Sequence, residues 1–185
     1  SQSCRTVEGM AAPQPFHIPV GFGLVGPDGA ALAFTDAAGR RATDAMLSLT
    51  EARQDFVFNG VDAPPTPSLL RRFSAPVSLK TTLGDADLAL LMTHDTDPFG
   101  RWDASQTLAT RIIRTMSAER AAGRPMHAPD GFIAAFGATL RDDDIGHLLK
   151  SQILWLVDEP ALSDGLAEID LDGHVAARTM LRVTL

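Results

Sequence analysis

The stretch HDTDPFGRWD, residues 94–103, marks a change in the spacing of the apolar side chains. Before it, apolar residues alternate as they do in β-strands, and after it they recur every three or four residues, as in an amphipathic helix. Asp97 is a good N-cap, and Pro98 suits the first helical position because its missing N–H would have no partner there. The sequence therefore predicts an all-β domain at residues 1–95 and a helical domain at residues 96–185.

The clearest strand pattern lies near the start of the all-β part. Its apolar face comprises Phe16, Ile18, Val20, Phe22 and Leu24. On the other face Pro19 cannot donate to a ladder, which predicts an edge or a bulge at that position. Turn residues at 26–29 and 36–39 separate the strands that follow. We predict these further strands at residues 30–34, 45–49, 55–58 and 77–81. Short strands without intervening helices predict an antiparallel β-sandwich.

Helical spacing begins before residue 94 and continues to the end of the chain. We predict helices at residues 85–94, 98–122, 129–140, 143–155, 160–168 and 172–184. The short polar links between them favour antiparallel helix pairs in a repeat array, which needs several repeats to bury its core. The predicted fold class is therefore α+β, with the sheet first and the helices second.

Composition excludes several classes of function. The chain has 185 residues, a formal net charge of -7 and a pI near 5.1, so it would repel phosphate backbones and no nucleic-acid partner is predicted. No apolar run approaches the roughly 20 residues that span a bilayer, so no membrane partner is predicted. Cys4 is the only cysteine, which excludes an internal disulfide and favours a reducing, cytoplasmic location. Because the first residue is Ser1, we interpret the start as set by processing or by the choice of expressed segment.

The histidines do not form a zinc-hydrolase motif. Such a site needs two imidazoles four residues apart on one helix with a glutamate between them, and no H-E-x-x-H occurs. The five histidines are His17, His94, His127, His147 and His174. We interpret His17 as a surface or interdomain residue, and His94 as a cap at a helix C-terminus. A hydrolase built from scattered histidines would require at least three of them to converge in space.

Charged clusters favour structural roles over ligand binding. The triad at residues 142–144 lacks calcium-loop spacing and is interpreted as a solvated helix start. Residues 170–173 are interpreted as a turn with an N-cap at Asp172. For the pair Arg71 and Arg72, we favour a salt bridge to a neighbouring domain, or solvation, over a clamp for a peptide carboxylate.

The remaining candidates also favour packing. Cys4 has only Arg5 beside it to lower its pKa, which is weak support for a nucleophile. The glycines of residues 21–23 lie within a strand pattern and indicate close packing or a bulge. Trp102 and Trp155 occupy apolar helical positions and are interpreted as core or interdomain residues. We predict no catalytic, cofactor-binding or metal-ligating residue in this chain.

Four stretches together resemble the aminopeptidase N family of zinc peptidases. They are PFHIP at 15–19, LTEARQDFVF at 49–58, PTPSLLRRFSAPV at 65–77 and HDTDPFGRWDASQ at 94–106. After about residue 122 the match is looser. The resemblance implies an immunoglobulin-like antiparallel β-sandwich followed by the first helices of an α-helical repeat array.

The resemblance also implies that the chemistry lies elsewhere. In the family, zinc, a glutamate base and a tyrosine belong to an upstream domain, and the present chain has neither H-E-x-x-H nor any tyrosine. No catalytic residue can be carried over, so this chain has no cofactor of its own, and zinc belongs to the parent enzyme, which releases N-terminal amino acids from peptides.

We therefore expect a non-catalytic docking segment whose partners are the catalytic domain and the remaining helical domain of the parent chain. Separation from those partners would uncover an apolar patch, which self-association could relieve. The alternative is a free-standing immunoglobulin-like module for protein interaction. An upstream reading frame that encodes H-E-x-x-H would favour the segment, and a native start just before Ser1 would favour the module.

Overall fold

The computed structural model of the protein describes residues 1–4 and 14–185; Arg5, considered above as a neighbour of Cys4, lies outside them. The chain forms two compact units, which we call the sandwich unit (Ser1–Thr81) and the helical unit (Thr82–Leu185). Each is described by itself.

The sandwich unit contains five short strands in two antiparallel sheets. The strands are β1 (Ile18–Val25), β2 (Phe34–Thr35), β3 (Arg41–Ala42), β4 (Asp44–Leu49) and β5 (Thr66–Leu69). One sheet has the order β4-β1-β5, and the other is the β2-β3 hairpin. The predicted antiparallel pairing of short strands is confirmed.

Pro19 lies in the part of β1 that is paired on one side only. β1 pairs with β4 from Ile18 to Gly23, but with β5 only from Phe22 to Val25. Pro19 lies where β1 is paired on one side only, which is a position that a residue without an N–H tolerates. The predicted edge is thus local, because the strand itself is central in its sheet.

Both predicted turns are present. Gly29 and Gly39 adopt φ values of 84° and 77°, which L-residues with side chains rarely adopt. Their N–H groups donate to the carbonyl oxygens of Gly26 and Asp36, each at 2.9 Å. After the first turn, Leu32 donates to Leu24 over 2.9 Å, so the chain returns along β1 as predicted, although only β2 is a named strand there.

Two predicted strands are wrong, and two short strands, β3 and β5, were missed. Neither residues 55–58 nor residues 77–81 form a strand in the described part of the chain. At residues 55–58 the apolar pattern reflects packing rather than strand pairing. Phe58 packs against the core, but its backbone belongs to no strand in the described part of the chain. β5 was missed because Pro67 argues against a strand, yet β5 is an edge strand, where proline is tolerated.

The core of the sandwich unit is an aromatic cluster. Phe22 stacks on Phe58 with ring centroids 4.5 Å apart, and Phe34 meets both rings edge-on at 5.2 and 4.8 Å. Edge-to-face and offset geometries are the favoured ones for aromatic pairs. Phe34 is completely buried and Leu24 packs beside it.

The helical unit follows the predicted order of helices. These are α1 (Asp85–His94), α2 (Pro98–Ala121), α3 (Asp130–Arg141), α4 (His147–Ile153), α5 (Glu159–Ser163) and α6 (Leu171–Thr184). α1, α2 and α3 match the predictions closely, whereas α4 and α5 are shorter than predicted. The prediction placed the domain boundary between residues 95 and 96, whereas the chain divides between Thr81 and Thr82, because α1 packs against α2 and α3.

Candidate functional site

The histidines are dispersed over the described elements. His17, His94, His127 and His147 are exposed, and only His174 is buried. Within residues 1–4 and 14–185, no three His, Cys, Asp or Glu side chains are grouped so that they could hold a metal ion. The described side chains therefore do not provide the set of ligands that a zinc ion of the aminopeptidase N family would need.

His174 is a buried histidine whose environment the sequence analysis did not predict. It lies near the start of α6 with 3% of its surface exposed, and its Nδ1 atom has no hydrogen-bond partner among the residues that the structure describes. A buried imidazole on an amphipathic helix resembles any other polar residue of that helix in sequence, so no local pattern indicates its burial.

A buried polar network joins three helices at residues 94–103. The Asp97 carboxylate accepts the Gly100 N–H at 2.9 Å, which confirms the predicted N-cap of α2. Arg101 donates its Nε to the Met92 carbonyl oxygen at 3.1 Å and one terminal nitrogen to Asp142 at 2.8 Å. The network thus links the end of α1, the start of α2 and the end of α3, so this stretch has a structural role.

Asp142 was assigned to the wrong environment from the sequence. It follows α3 as its C-cap, where its carboxylate accepts the Asp144 N–H at 3.0 Å. This turn prevents a helix start at residue 143, so α4 begins only at His147. The Arg101 guanidinium, by hydrogen bonding to Asp142, lowers the pKa of that carboxyl below its ordinary value of 3.8.

A second capping carboxylate fixes the start of α6. Asp170, rather than the predicted Asp172, accepts the Gly173 N–H at 2.9 Å, and the Ser117 hydroxyl of α2 donates to it at 3.0 Å. The Gly173 bond, followed by the Ser117 bond, lowers the pKa of Asp170. The capping group therefore also attaches α6 to α2.

One arginine of the pair has an ion pair within the sandwich unit. Arg72 contacts the Asp44 carboxylate at 2.7 Å and stays 76% exposed, so the salt bridge to a neighbouring domain, or solvation, stays a prediction for the pair. The backbone here is unusual, since Leu70, Arg72 and Phe73 have φ values of 55°, 58° and 51°. Non-glycine residues in this region cost about 1–3 kcal/mol each.

The two glycines of β1 make room for this arginine segment. A Cβ atom on Gly21 would lie 2.6 Å from the Arg71 carbonyl oxygen, and one on Gly23 would meet the Arg71 guanidinium. The prediction that residues 21–23 mark close packing is confirmed. The Gly21 N–H also donates to the Ser74 hydroxyl at 2.7 Å, which ties the segment to β1.

A cleft of about 580 Å³ opens beside β4 in the sandwich unit. We call it the edge cleft. Four of the residues that line it are arginines: Arg40, Arg41, Arg71 and Arg72. Two aspartates, Asp36 and Asp44, also line it. Hydrogen bonds from Arg40, first of all from its backbone N–H, lower the pKa of Asp36.

A smaller cleft of about 430 Å³ lies in the helical unit between Phe136, Trp155 and the C-terminal half of α6. Trp155 is 68% exposed, so its predicted core role is wrong within this unit. Trp102 is less exposed, at 37%.

No helix in the described part of the chain is long and apolar enough to cross a membrane.

The chain thus combines a unit of antiparallel strands with a unit of packed helices. A family model described as "Domain of unknown function (DUF3458) Ig-like fold" matches residues 1–82. A second, described as "Domain of unknown function (DUF3458_C) ARM repeats", matches residues 85–185. Since the second match covers more than half of the sequence, the chain belongs to this ARM-repeat family.

The relatives include aminopeptidase N from two bacteria. The chain is 34% identical over 185 residues to aminopeptidase N of Escherichia coli (strain K12), covering 100% of this chain and 21% of the relative. It is 36% identical over 164 residues to aminopeptidase N of Caulobacter vibrioides, covering 88% of this chain and 18% of the relative. The resemblance read from the four sequence stretches is confirmed, and the chain spans about a fifth of the length of these relatives.

A solved structure is also similar. It is described as the crystal structure of Legionella pneumophila aminopeptidase A in complex with aspartic acid. The TM-score is 0.74 at 26% identity, and the match covers 91% of this chain and 18% of that chain.

Proposed function

We propose that the chain is the non-catalytic structural and docking segment of a cytoplasmic, zinc-dependent aminopeptidase N. The observation that carries the proposal is its likeness to the E. coli enzyme over its whole length, combined with its coverage of only 21% of that enzyme. Zinc and the groups that activate water belong, in this proposal, to polypeptide outside the segment. The segment positions the catalytic domain relative to the remaining helical domain.

Exposed apolar side chains support a docking role. In the helical unit, Leu148, Trp155 and Val183 expose 77%, 68% and 85% of their surface. Trp155 also lines the smaller cleft together with Phe136 and Leu185, and apolar side chains that share one open surface are typical of surfaces that other polypeptides cover. The remaining helical domain is the partner that we assign to this unit, because repeats bury their apolar faces against neighbouring repeats.

A chimeric enzyme tests the scaffold role. The chain would replace the matching region of E. coli aminopeptidase N, and hydrolysis of an alanyl arylamide would be measured. We expect a folded chimera that retains activity, while a Trp155→Glu chimera loses activity or assembly because it places a charge on the docking surface. A folded chimera without activity would instead favour a free-standing interaction module.

The isolated chain tests the non-catalytic part of the proposal. We expect no turnover of the arylamide by the purified chain with added zinc. Zinc-dependent turnover that persists after removal of trace peptidases would contradict the proposal.

A further inference from the structure

Asn59 is the only asparagine of the chain, and Gly60 follows it directly. Asparagine is among the side chains that are chemically least stable in proteins. The backbone nitrogen of the next residue can attack the side-chain amide carbon, and glycine allows a close approach because it has no Cβ atom. The pair therefore carries the groups that a deamidation reaction needs.

Both residues are accessible to water. Asn59 and Gly60 are exposed, and Gly60 has a φ value of 65°, a conformation that glycine adopts readily. A Cβ atom built on Gly60 would lie 3.5 Å from the Thr35 hydroxyl oxygen and 3.6 Å from the Arg41 guanidinium. Both are ordinary van der Waals distances, so these two groups do not crowd the reacting nitrogen.

A backbone bridge to Thr35 limits the reaction. The Asn59 N–H donates to the Thr35 carbonyl oxygen at 3.0 Å, and the Thr35 N–H donates to the Asn59 carbonyl oxygen at 2.8 Å. This pairing holds Asn59 in an extended conformation, whereas ring closure requires rotation about its Cα–C bond. The bridge is an isolated one, so a local opening is enough to release Asn59.

We propose that Asn59 is a site of spontaneous deamidation whose rate is limited by opening of its bridge to Thr35. Solvent hydroxide removes the proton from the Gly60 nitrogen, which then bonds to the side-chain carbonyl carbon of Asn59. The amide nitrogen takes a proton from water and leaves as ammonia. Water opens the resulting cyclic imide at either carbonyl, which produces aspartate or isoaspartate at residue 59. This inference uses the sandwich unit alone, so it does not depend on the proposed function.

Isoaspartate would alter the backbone between two residues that pack against the core. Phe58 and Val61 both pack against the aromatic cluster, and Phe58 stacks on Phe22. In isoaspartate the main chain runs through the former side chain, which inserts a methylene group before Gly60. Because a packed core responds even to a methylene change, Phe58 or Val61 must shift, and the sandwich unit is weakened.

Incubation of the full chain at pH 8 and 37 °C tests the site. Intact mass spectrometry and peptide mapping would follow the replacement of the amide by a carboxyl group. We expect this change at residue 59, with isoaspartate among the products and a rate that rises in proportion to hydroxide concentration. A synthetic peptide of residues 56–63 with blocked ends should react faster, because it has no bridge to open.

Two variants separate the reaction from its consequence. Asn59→Gln keeps the amide but must close a larger ring, so it should remain unchanged over the same time. Asn59→Asp reproduces the new charge without lengthening the backbone. The isoaspartate form, separated by chromatography, should show faster hydrogen exchange at β1 than the unaltered chain, whereas Asn59→Asp should exchange like the unaltered chain.

Several results would overturn the inference. One is an unmodified residue 59 after a time in which the peptide reacts completely, and another is a product that contains aspartate alone. Equal conversion of Asn59→Gln would assign the reaction to a different residue. Unchanged exchange at β1 in the isoaspartate form would contradict the effect on the core.

Discussion

In the sandwich unit, the core depends on three phenylalanine rings contributed by distant parts of the sequence. In the helical unit, the buried residues include aliphatic side chains such as Leu108 and Ile113 and also polar groups such as Arg101. The first arrangement gains its stability from apolar area and ring geometry, whereas the second also requires that every buried charge keep its partner. The two units should therefore respond differently to the loss of a single side chain.

The largest expected effect is on the aromatic cluster. Phe34→Ala should destabilise the sandwich unit by about 3–5 kcal/mol, because it removes a fully buried ring and leaves a cavity. Hydrogen exchange at β1 would measure the loss, and Phe16→Ala, which removes a half-exposed ring, is the control. Unchanged exchange at β1 would show that the core does not depend on this ring.

The next effect concerns the buried ion pair of the helical unit. Asp142→Ala should cost roughly 2–3 kcal/mol, because it leaves the Arg101 guanidinium, 8% exposed, without its carboxylate. Urea unfolding followed at α2 would measure this cost. Asp143→Ala, which removes an exposed neighbouring carboxylate, is the matched control and should be neutral.

The same ion pair predicts a pH dependence. Because the pKa of Asp142 is lowered in the folded chain, the stabilisation is complete above the ordinary value of 3.8 and is lost as the pH falls through the lower folded value. Thermal unfolding between pH 5.5 and 3 should show a flatter pH profile for Asp142→Ala than for the unaltered chain. Parallel profiles would contradict this assignment.

A smaller effect distinguishes the two glycines of β1. Gly21→Ala should cost about 2 kcal/mol, because the new methyl group meets the Arg71 backbone. Gly23→Ala should cost less, since the guanidinium end of the Arg71 side chain can move aside. Equal losses in urea unfolding would mean that the arginine segment is held as firmly through its side chain as through its backbone.

The smallest expected effect is a gain in stability. Burial raises the pKa of Asp103, and among the described residues its carboxylate has no hydrogen-bond or ion-pair partner. The ionised form is therefore unfavourable in the fold, and Asp103→Asn should stabilise the helical unit by less than about 1 kcal/mol at pH 7. The gain in melting temperature should disappear below about pH 4, where the natural carboxyl is protonated.

Sequence reasoning succeeded where the signal is local. Asp97 and Pro98 mark the start of α2 by their own chemistry, and the glycines at 29 and 39 mark their turns. It failed where the outcome depends on distant residues. Nothing near Asp142 in sequence reveals that Arg101 binds it. Nothing near Phe58 reveals that its ring packs against the core although, in the described part of the chain, its backbone belongs to no strand.

The candidate surfaces were even less accessible from the sequence. Arg71 and Arg72 were singled out as a pair, but the edge cleft also requires Arg40 and Arg41 from a hairpin some thirty residues earlier, and only the fold brings these residues together. The strands that pair with β4 could not be foreseen either, because a strand pattern does not say which neighbours pair with it.

The register of β1 has a consequence for the order of folding. The C-terminal half of β1 pairs with β5, which lies far from it in the sequence of the sandwich unit. In contrast, α1 and α2 are adjacent in sequence and pack on each other directly. Contacts between distant residues form slowly because a long loop must close first, so the helices should assemble in an earlier kinetic phase than the sheet. Until β5 pairs with β1, the backbone N–H and C=O groups on that side of β1 lack their partners from β5. A chaperone should therefore help most at this stage of folding.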